Sequence, residues 1–297
     1  MANTRELQSR MKSIKDTMKI TSAMHMIASS NLQKAKKNLE ETEPYFYTLQ
    51  IMIAGILGHM QGGIEHQYFD ERPEIKEADR KKGYIVVTAD KGLAGGYNHN
   101  VIKLAQEFLD KPGHNELFVL GQLGRSYFEK KNVDVDTSFK YTVQKPTMHR
   151  ARVIAEKMLD LFNRKELDEV HIIYTRMENA VEMVAETKQL LPLQSGAFCE
   201  VPAGIQLMLP TPKDVLDCII PNYVTGFIYG SLVESFCSEQ NSRMMAMDGA
   251  TKSAKEILRN LNIEFNRVRQ AAITQEITEV ISGAKAQKNN RREVANA

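Results

Sequence analysis

The stretch Asp90-Lys-Gly-Leu-Ala-Gly-Gly-Tyr-Asn98 is where this sequence most invites chemistry. Gly92, Gly95 and Gly96 crowd a turn between an apolar run and a helical pattern. Such a turn can aim backbone N–H groups at a phosphate lying on a helix N-terminus. The spacing fits neither strong phosphate motif. The glycines do not form G-x-G-x-x-G, and the chain has no G-x-x-x-x-G-K-[ST]. A structural or interface turn is therefore the favoured reading, and nucleotide binding stays open beside it. His59, His66, His99, His114, His149 and His171 do not cluster with carboxylates or cysteines at ligand spacing. Cys199, Cys218 and Cys237 show no C-x-x-C spacing and read as reduced thiols of a cytoplasmic compartment. There is no G-x-S-x-G. The expectation is no catalytic residue, no cofactor site and no metal site.

The elements around that turn say more. Tyr84–Ala89 is a short β-branched run of the kind found in buried parallel strands. Further strands are expected at Leu117–Leu120, over residues 135–142, at Glu169–Thr175 and at Val181–Leu191. Helical patterns lie between them at Asn100–Leu109, Gly124–Lys131 and Thr147–Phe162. Alternating strands and helices with short connections predict an α/β domain with a mostly parallel sheet over residues 80–195. Residues 58–79 and 192–212 read as irregular connections, being rich in turn formers.

Both ends of the chain follow a different period. The first 43 residues contain no glycine or proline. Leu7, Met11, Ile14, Met18, Thr21, His25, Ala28, Leu32, Ala35 and Leu39 alternate steps of four and three, a coiled-coil seam. Val233, Cys237, Gln240, Met244, Met247, Thr251, Ala254, Leu258, Leu261, Phe265, Val268 and Ala272 do the same, with no proline from Asn222 onward. His25 on this seam reads as a register residue rather than a catalyst. The two seams are expected to pair as a long antiparallel coiled coil. The N-terminal helix would span residues 1–58, with Pro44 kinking it or ending its coiled-coil part. The C-terminal helix would span 211–284, with Pro221 bending its first part. The basic tail 285–297 is expected to lack regular structure. About 40 paired residues correspond to a rod of roughly 60 Å.

Off the seam, Ile20, Met24 and Ile27 form a second apolar stripe, and Ile273, Ile277, Val280 and Ile281 form another near the C-terminus. Solvated helices seldom keep two stripes, so these faces point to burial against the same chain or against another protein. Residues 1–43 carry eight Lys/Arg against five Asp/Glu, and 243–297 carry ten against six, so the remainder holds −5 of a net +2. Basic ends suit an acidic partner. Charge this modest does not call for nucleic acid. No run reaches the length of a membrane span, and Met1–Arg10 lacks the apolar core of a signal peptide.

Three stretches carry a family resemblance. Lys19-Ile-Thr-Ser-Ala-Met-His-Met-Ile-Ala-Ser-Ser30 resembles the N-terminal helix signature of the gamma subunits of F-type ATP synthases. Thr88–Asn98 resembles that family's central turn. Arg267-Val-Arg-Gln-Ala-Ala-Ile-Thr-Gln-Glu-Ile-Thr-Glu-Val-Ile-Ser-Gly283 is very similar to its C-terminal signature, and Ser238–Asp248 adds a fourth match. The likeness covers the chain to Gly283. Ser22, His25 and Asn31 stand where the family commonly has lysine or another polar or charged residue.

The resemblance implies a non-catalytic central-stalk rotor. It would transmit torque between a membrane ring of c subunits and a catalytic ring of alpha and beta subunits, with the epsilon subunit beside it. It would act at the cytoplasmic face of a bacterial cell membrane, peripherally, with no cofactor, no nucleic acid, no direct small-molecule substrate and no transmembrane segment. By the same likeness, Arg269, Gln270 and Thr274 would form a polar catch against the alpha and beta subunits, with Met24, Ile20 and Ile27 in a bearing nearby. Leu7, Met11, Ile14, Met18, Leu258, Leu261, Phe265 and Val268 would hold the seam. Two alternatives remain: a nucleotide-binding, oxidoreductase-like domain with helical extensions, and a non-rotary coiled-coil adaptor.

Overall fold

The structure is a computed structural model and describes residues 2–59, 66–131, 133, 135–136, 143–179, 182–198 and 211–295. Its elements run α1 (Ala2–His59), β1 (Lys81–Val87), α2 (Tyr97–Leu109), β2 (His114–Leu120), α3 (Gln122–Lys130), α4 (Met148–Asn163), β3 (Glu169–Met177), β4 (Met183–Leu191) and α5 (Pro212–Ala295). Two compact units result. One comprises residues 27–246, the other 1–26 with 247–297.

In the unit of residues 27–246, four strands form one sheet in the order β2-β1-β3-β4. β1 pairs in parallel with β2 and β3, while β4 lies antiparallel to β3. The sheet is therefore mostly parallel with an antiparallel edge. β1 is buried from Lys82 to Val87, as a central strand covered on both faces must be. The strand period of two sends its side chains alternately to two cores. Tyr84 and Val86 join Leu117, Val119 and Ile173 under Val101, Ile102 and Ala105 of α2 and Phe128 of α3. Ile85 and Val87 join Phe118, Leu120 and Ile172 on the other face, with Ile154, Met158 and Phe162 of α4. The second core also takes Leu49, Ile53 and Ile56 of α1 and Leu216, Ile220, Val224 and Ile228 of α5. Of the strand expected over 135–142, Val135 bridges Leu117 in parallel; residues 137–142 lie outside the described residues.

Within this unit α1 and α5 run antiparallel. Gln50 reaches Tyr223, and the Phe46 ring lies over Gly226. Pro44 and Pro221 both sit inside unbroken helices. Packing explains why the expected boundaries at 58 and 211 do not divide the units. Both helices contribute side chains to the sheet's core, so half of α1 and the first part of α5 fold with the body.

In the other unit, Thr21 Oγ1 and Thr251 Oγ1 lie 2.8 Å apart across the helix pair. The helix α5 does not stop at Gly283 but runs through Ala295. Of the tail expected to be irregular, residues 285–295 are helical backbone, and 296–297 lie outside the described residues. The reason is compositional: residues 284–295 are mostly Ala, Lys, Gln, Arg and Glu, good helix formers that outnumber Asn289, Asn290 and Val294, and include no proline. No described helix is long and apolar enough to cross a membrane.

Candidate interaction surfaces

The glycine turn is closed by its own chain. Asp90 caps it from both carboxylate oxygens, accepting from the Gln122 N–H (3.1 Å) and the Val143 N–H (2.8 Å). Asn98 Oδ1 accepts from the Ala89 N–H at 2.8 Å. Leu93 and Gly95 take left-handed φ values of 63° and 54°, which costs glycine nothing but strains leucine. The carbonyls of Lys91 and Gly92 both accept from Arg243 Nη2 at 3.2 Å. That guanidinium also holds the buried carboxylate of Glu239 at 2.6 Å. In open α/β sheets, ligands bind in the crevice at the carboxyl ends of the strands, where strand order reverses. Here that reversal lies between β1 and β3, and α5 lies against it. The Thr175 N–H donates to Ser235 Oγ (3.2 Å), and Ser238 Oγ donates to the Thr175 carbonyl (3.1 Å). Tyr97 OH meets Ser235 Oγ at 3.0 Å. Burial pushes the Tyr97 phenol well above its usual range, so it stays a neutral hydroxyl. The arrangement is that of a helix socket.

Sequence reasoning missed this socket. Its signal was present as a line of serines, Ser231, Ser235, Ser238 and Ser242, in steps of four, three and four, all buried. A buried polar stripe on a helix requires hydrogen-bond partners. Ser242 Oγ finds one at Met183 Sδ of β4, 2.9 Å away.

In the unit of residues 1–26 and 247–297, exposure follows the heptads. Leu7, Thr21, Met247, Ala254 and Leu261 are buried. Met11, Ile14, Met18, His25, Leu258, Phe265, Val268 and Ala272 are half-buried, and the positions between them are exposed. With Thr21 level with Thr251, opposite heptad steps place Met18 level with Ala254, Ile14 with Leu258, Met11 with Leu261, and Leu7 with Phe265. Asp248 sits beside this polar layer. Its carboxylate is held below the usual range chiefly by hydrogen bonding to Lys252 at 2.7 Å, with His25 among the smaller causes.

The residues expected to form the catch and bearing are all exposed. Arg269, Gln270 and Thr274 are exposed, and the Thr274 hydroxyl donates to the Gln270 carbonyl at 2.9 Å. Ile20 and Met24 are 56% and 36% exposed. Ile27, which belongs to the other unit, is 61% exposed. From Ile273 through Lys285 every side chain is exposed, including Ile273, Ile277, Val280 and Ile281. Of the cysteines, Cys218 is exposed and Cys237 buried, both free; Cys199 lies outside the described residues.

Comparison with known proteins agrees over nearly the whole chain. A family model described as ATP synthase matches residues 3–287. The ATP synthase gamma chain of Ruminiclostridium cellulolyticum is 47% identical over 292 residues, covering 96% of this chain and 98% of that one. That of Acetivibrio thermocellus is 44% identical, covering 97% and 100%. A gamma chain described as sodium ion specific, from Acetobacterium woodii, is 34% identical, covering 96% and 98%. Among solved structures, a chain of the Euglena gracilis mitochondrial ATP synthase shares the fold with a TM-score of 0.63 at 15% identity, covering 98% of this chain and 96% of its own. The heptad-paired terminal helices, the socketed sheet and these likenesses converge: the chain belongs to the ATP synthase gamma chain family.

Proposed function

We propose that this chain is the central-stalk rotor of an F-type ATP synthase. It carries torque between a membrane ring of c subunits and the ring of alpha and beta subunits, beside the epsilon subunit, and makes or breaks no covalent bond itself. It works at the cytoplasmic face of a bacterial cell membrane, held there by its partners. The observation that carries this reading is the exposed apolar end of α5, Ile273 to Ile281, continuing from a register-paired seam. Apolar contact is non-directional, so such a surface can turn inside an apolar sleeve without breaking a fixed set of bonds. Ile20 and Met24 serve the same bearing, Ile27 of the other unit offers a further apolar contact of its own, and Arg269, Gln270 and Thr274 supply the polar catch. The exposed side-chain groups of Arg269 and Gln270 exchange water for partner atoms at small cost.

The test is reconstitution with alpha and beta subunits and observation of a label on this chain during ATP hydrolysis. One-way rotation is expected. Full ATP-driven ion pumping by a complex lacking the chain would overturn the reading. The isolated chain is expected not to bind ATP, because its glycine turn and crevice are filled by Arg243, Ser235 and Ser238. Micromolar ATP binding by the free chain would favour the oxidoreductase-like alternative instead.

A further inference from the structure

α1 and α5 are held by the sheet in different ways. α1 meets the body of residues 27–246 through apolar side chains, Leu49, Ile53, Ala54 and Ile56, and its Gln50 side chain bonds to α5. α5 meets it through directional bonds as well. The pairing of β1 with β3 ends at Val86 and Ile173, so Thr175 lies beyond the last residue β1 pairs. Two serines of α5 take the place of that missing strand: Ser235 accepts from the Thr175 N–H and Ser238 donates to its carbonyl. Tyr97 of α2 completes the bond set from one side, and Arg243 pins the Lys91 and Gly92 carbonyls from the other. Thr175, Ser235 and Ser238 are all within 3% of complete burial, so the bonds among Tyr97, Thr175, Ser235 and Ser238 are not traded with solvent, whereas those from Arg243 to the two carbonyls lie at the exposed edge.

Resting on the rotor reading above, we propose that load passes between the sheet and α5 through this joint: Tyr97, Thr175, Ser235, Ser238 and Arg243 are the residues that grip the driven helix, while α1 follows. The physical argument is directionality. Apolar contacts oppose separation but resist sliding and twisting weakly, whereas hydrogen bonds lose strength steeply as their angle changes. A shared set of buried bonds around one strand end resists rotation of α5 about its own axis. The apolar contacts of α1 do not supply that resistance. α5 is also the element that continues to Ala295.

The experiment uses the complete complex in membrane vesicles. Tyr97→Phe removes one hydroxyl and leaves no void. Ser235→Ala removes the group shared by Tyr97 and Thr175. Ile53→Val, on the apolar face of α1, is the comparison with a similar loss of melting temperature. Three quantities are measured for each: thermal melting, ATP hydrolysis by the detached catalytic sector without load, and ATP synthesis at a limiting ion gradient.

The grip variants are expected to hydrolyse ATP at near the native rate. Their synthesis at the limiting gradient should fall on the order of five-fold, the factor that corresponds to one net hydrogen bond. Ile53→Val should keep native synthesis. Synthesis by Tyr97→Phe and Ser235→Ala equal to that of Ile53→Val at matched melting would overturn the proposal. If Ser235→Ala does not assemble, Tyr97→Phe decides alone. Native chain that fails to support any synthesis would instead overturn the rotor reading on which the proposal rests.

Discussion

Gly226 and Glu169 show how much a single atom decides in this fold. A Cβ built on Gly226 would lie 1.8 Å from Cδ1 of Phe46, so this glycine exists to let the α1 ring cross α5. Alanine would gain up to about 1 kcal/mol of helix propensity. The clash costs about 1–3 kcal/mol or more where the backbone cannot yield, and a 1.8 Å approach belongs at the upper end, so the clash wins. Gly226→Ala is expected to lower the urea midpoint, and Phe46→Leu in the same chain to recover part of the loss, a coupling of neighbours. A midpoint raised by Gly226→Ala alone would mean that the helices part freely there.

Glu169 is governed by charge rather than volume. Its carboxylate is pulled from 4.5 down to about 2, first by hydrogen bonding to His171 at 2.9 Å, then by Arg80 at 2.6 Å and the charge of Lys82, against burial, which opposes them. A carboxylate with a depressed folded pKa adds stability that is fully present above its unfolded pKa. That stability is lost as pH falls through the folded value. Native protein should therefore exceed Glu169→Gln in stability near neutrality, and the gap should close between about pH 4.5 and pH 2. Urea midpoints of both proteins across that range check this, and a gap that stays constant would remove ionisation of Glu169 as its source.

At the scale of elements, seam and catch separate by exposure. Leu261 is buried on the seam and Phe265 half-buried. Leu261→Ala should cost about 2–4 kcal/mol, and Phe265→Ala less than the ~3–5 kcal/mol of a fully buried ring. Arg269→Ala, on the exposed side, should stay within about 0.5 kcal/mol for the isolated chain. It should instead slow ATP turnover of the assembled complex. Thermal melting beside steady-state turnover tests both, and an Arg269→Ala chain that melts as early as Leu261→Ala would make Arg269 a structural residue. These elements were legible because burial has a period. The heptad steps of Leu7 to Leu39 and the β-branched run of Tyr84–Val87 each record which side faces a core. The serine stripe of α5 was not legible. Its partners, the N–H and C=O of Thr175, are backbone groups, and nothing in a sequence marks a strand end left without its neighbour. The end of α5 was misplaced for a related reason: Gly283 reads as a stop, but a glycine stops a helix only when it adopts a left-handed cap, and here it stays inside the helix.

Across the whole molecule, charge and apolar exposure are sorted by sequence region. The terminal stretches 1–43 and 243–297 are basic while the remainder carries −5. Encounter with acidic partners is thereby steered towards the helical ends, an effect that salt screens over a length of about 8–10 Å. On the function proposed above, the apolar stripes on the same ends would supply the contact once encounter has occurred. The catch and bearing proposed at Arg269, Gln270, Thr274, Met24, Ile20 and Ile27 rest on family likeness, because burial marks none of these residues. Arg269 and Ile277 are both exposed among the described residues.

The stretch from Ile273 to Lys285 has a consequence for the life of the free chain. Every side chain along it is exposed, so this last part of α5 rests on its own backbone bonds and on bonds along the same helix such as Gln275 to Glu279, and an uncovered helix end opens more readily than a packed one. Before enclosure it should open often enough to enter a protease active site. Limited trypsin digestion is expected to cut the free chain first at Lys285 and to spare that bond in the complete complex. Equal cleavage in both would show the end unenclosed. An orphaned copy would then be distinguishable from an assembled one by its own terminus, and surplus rotor would be cleared without any dedicated tag.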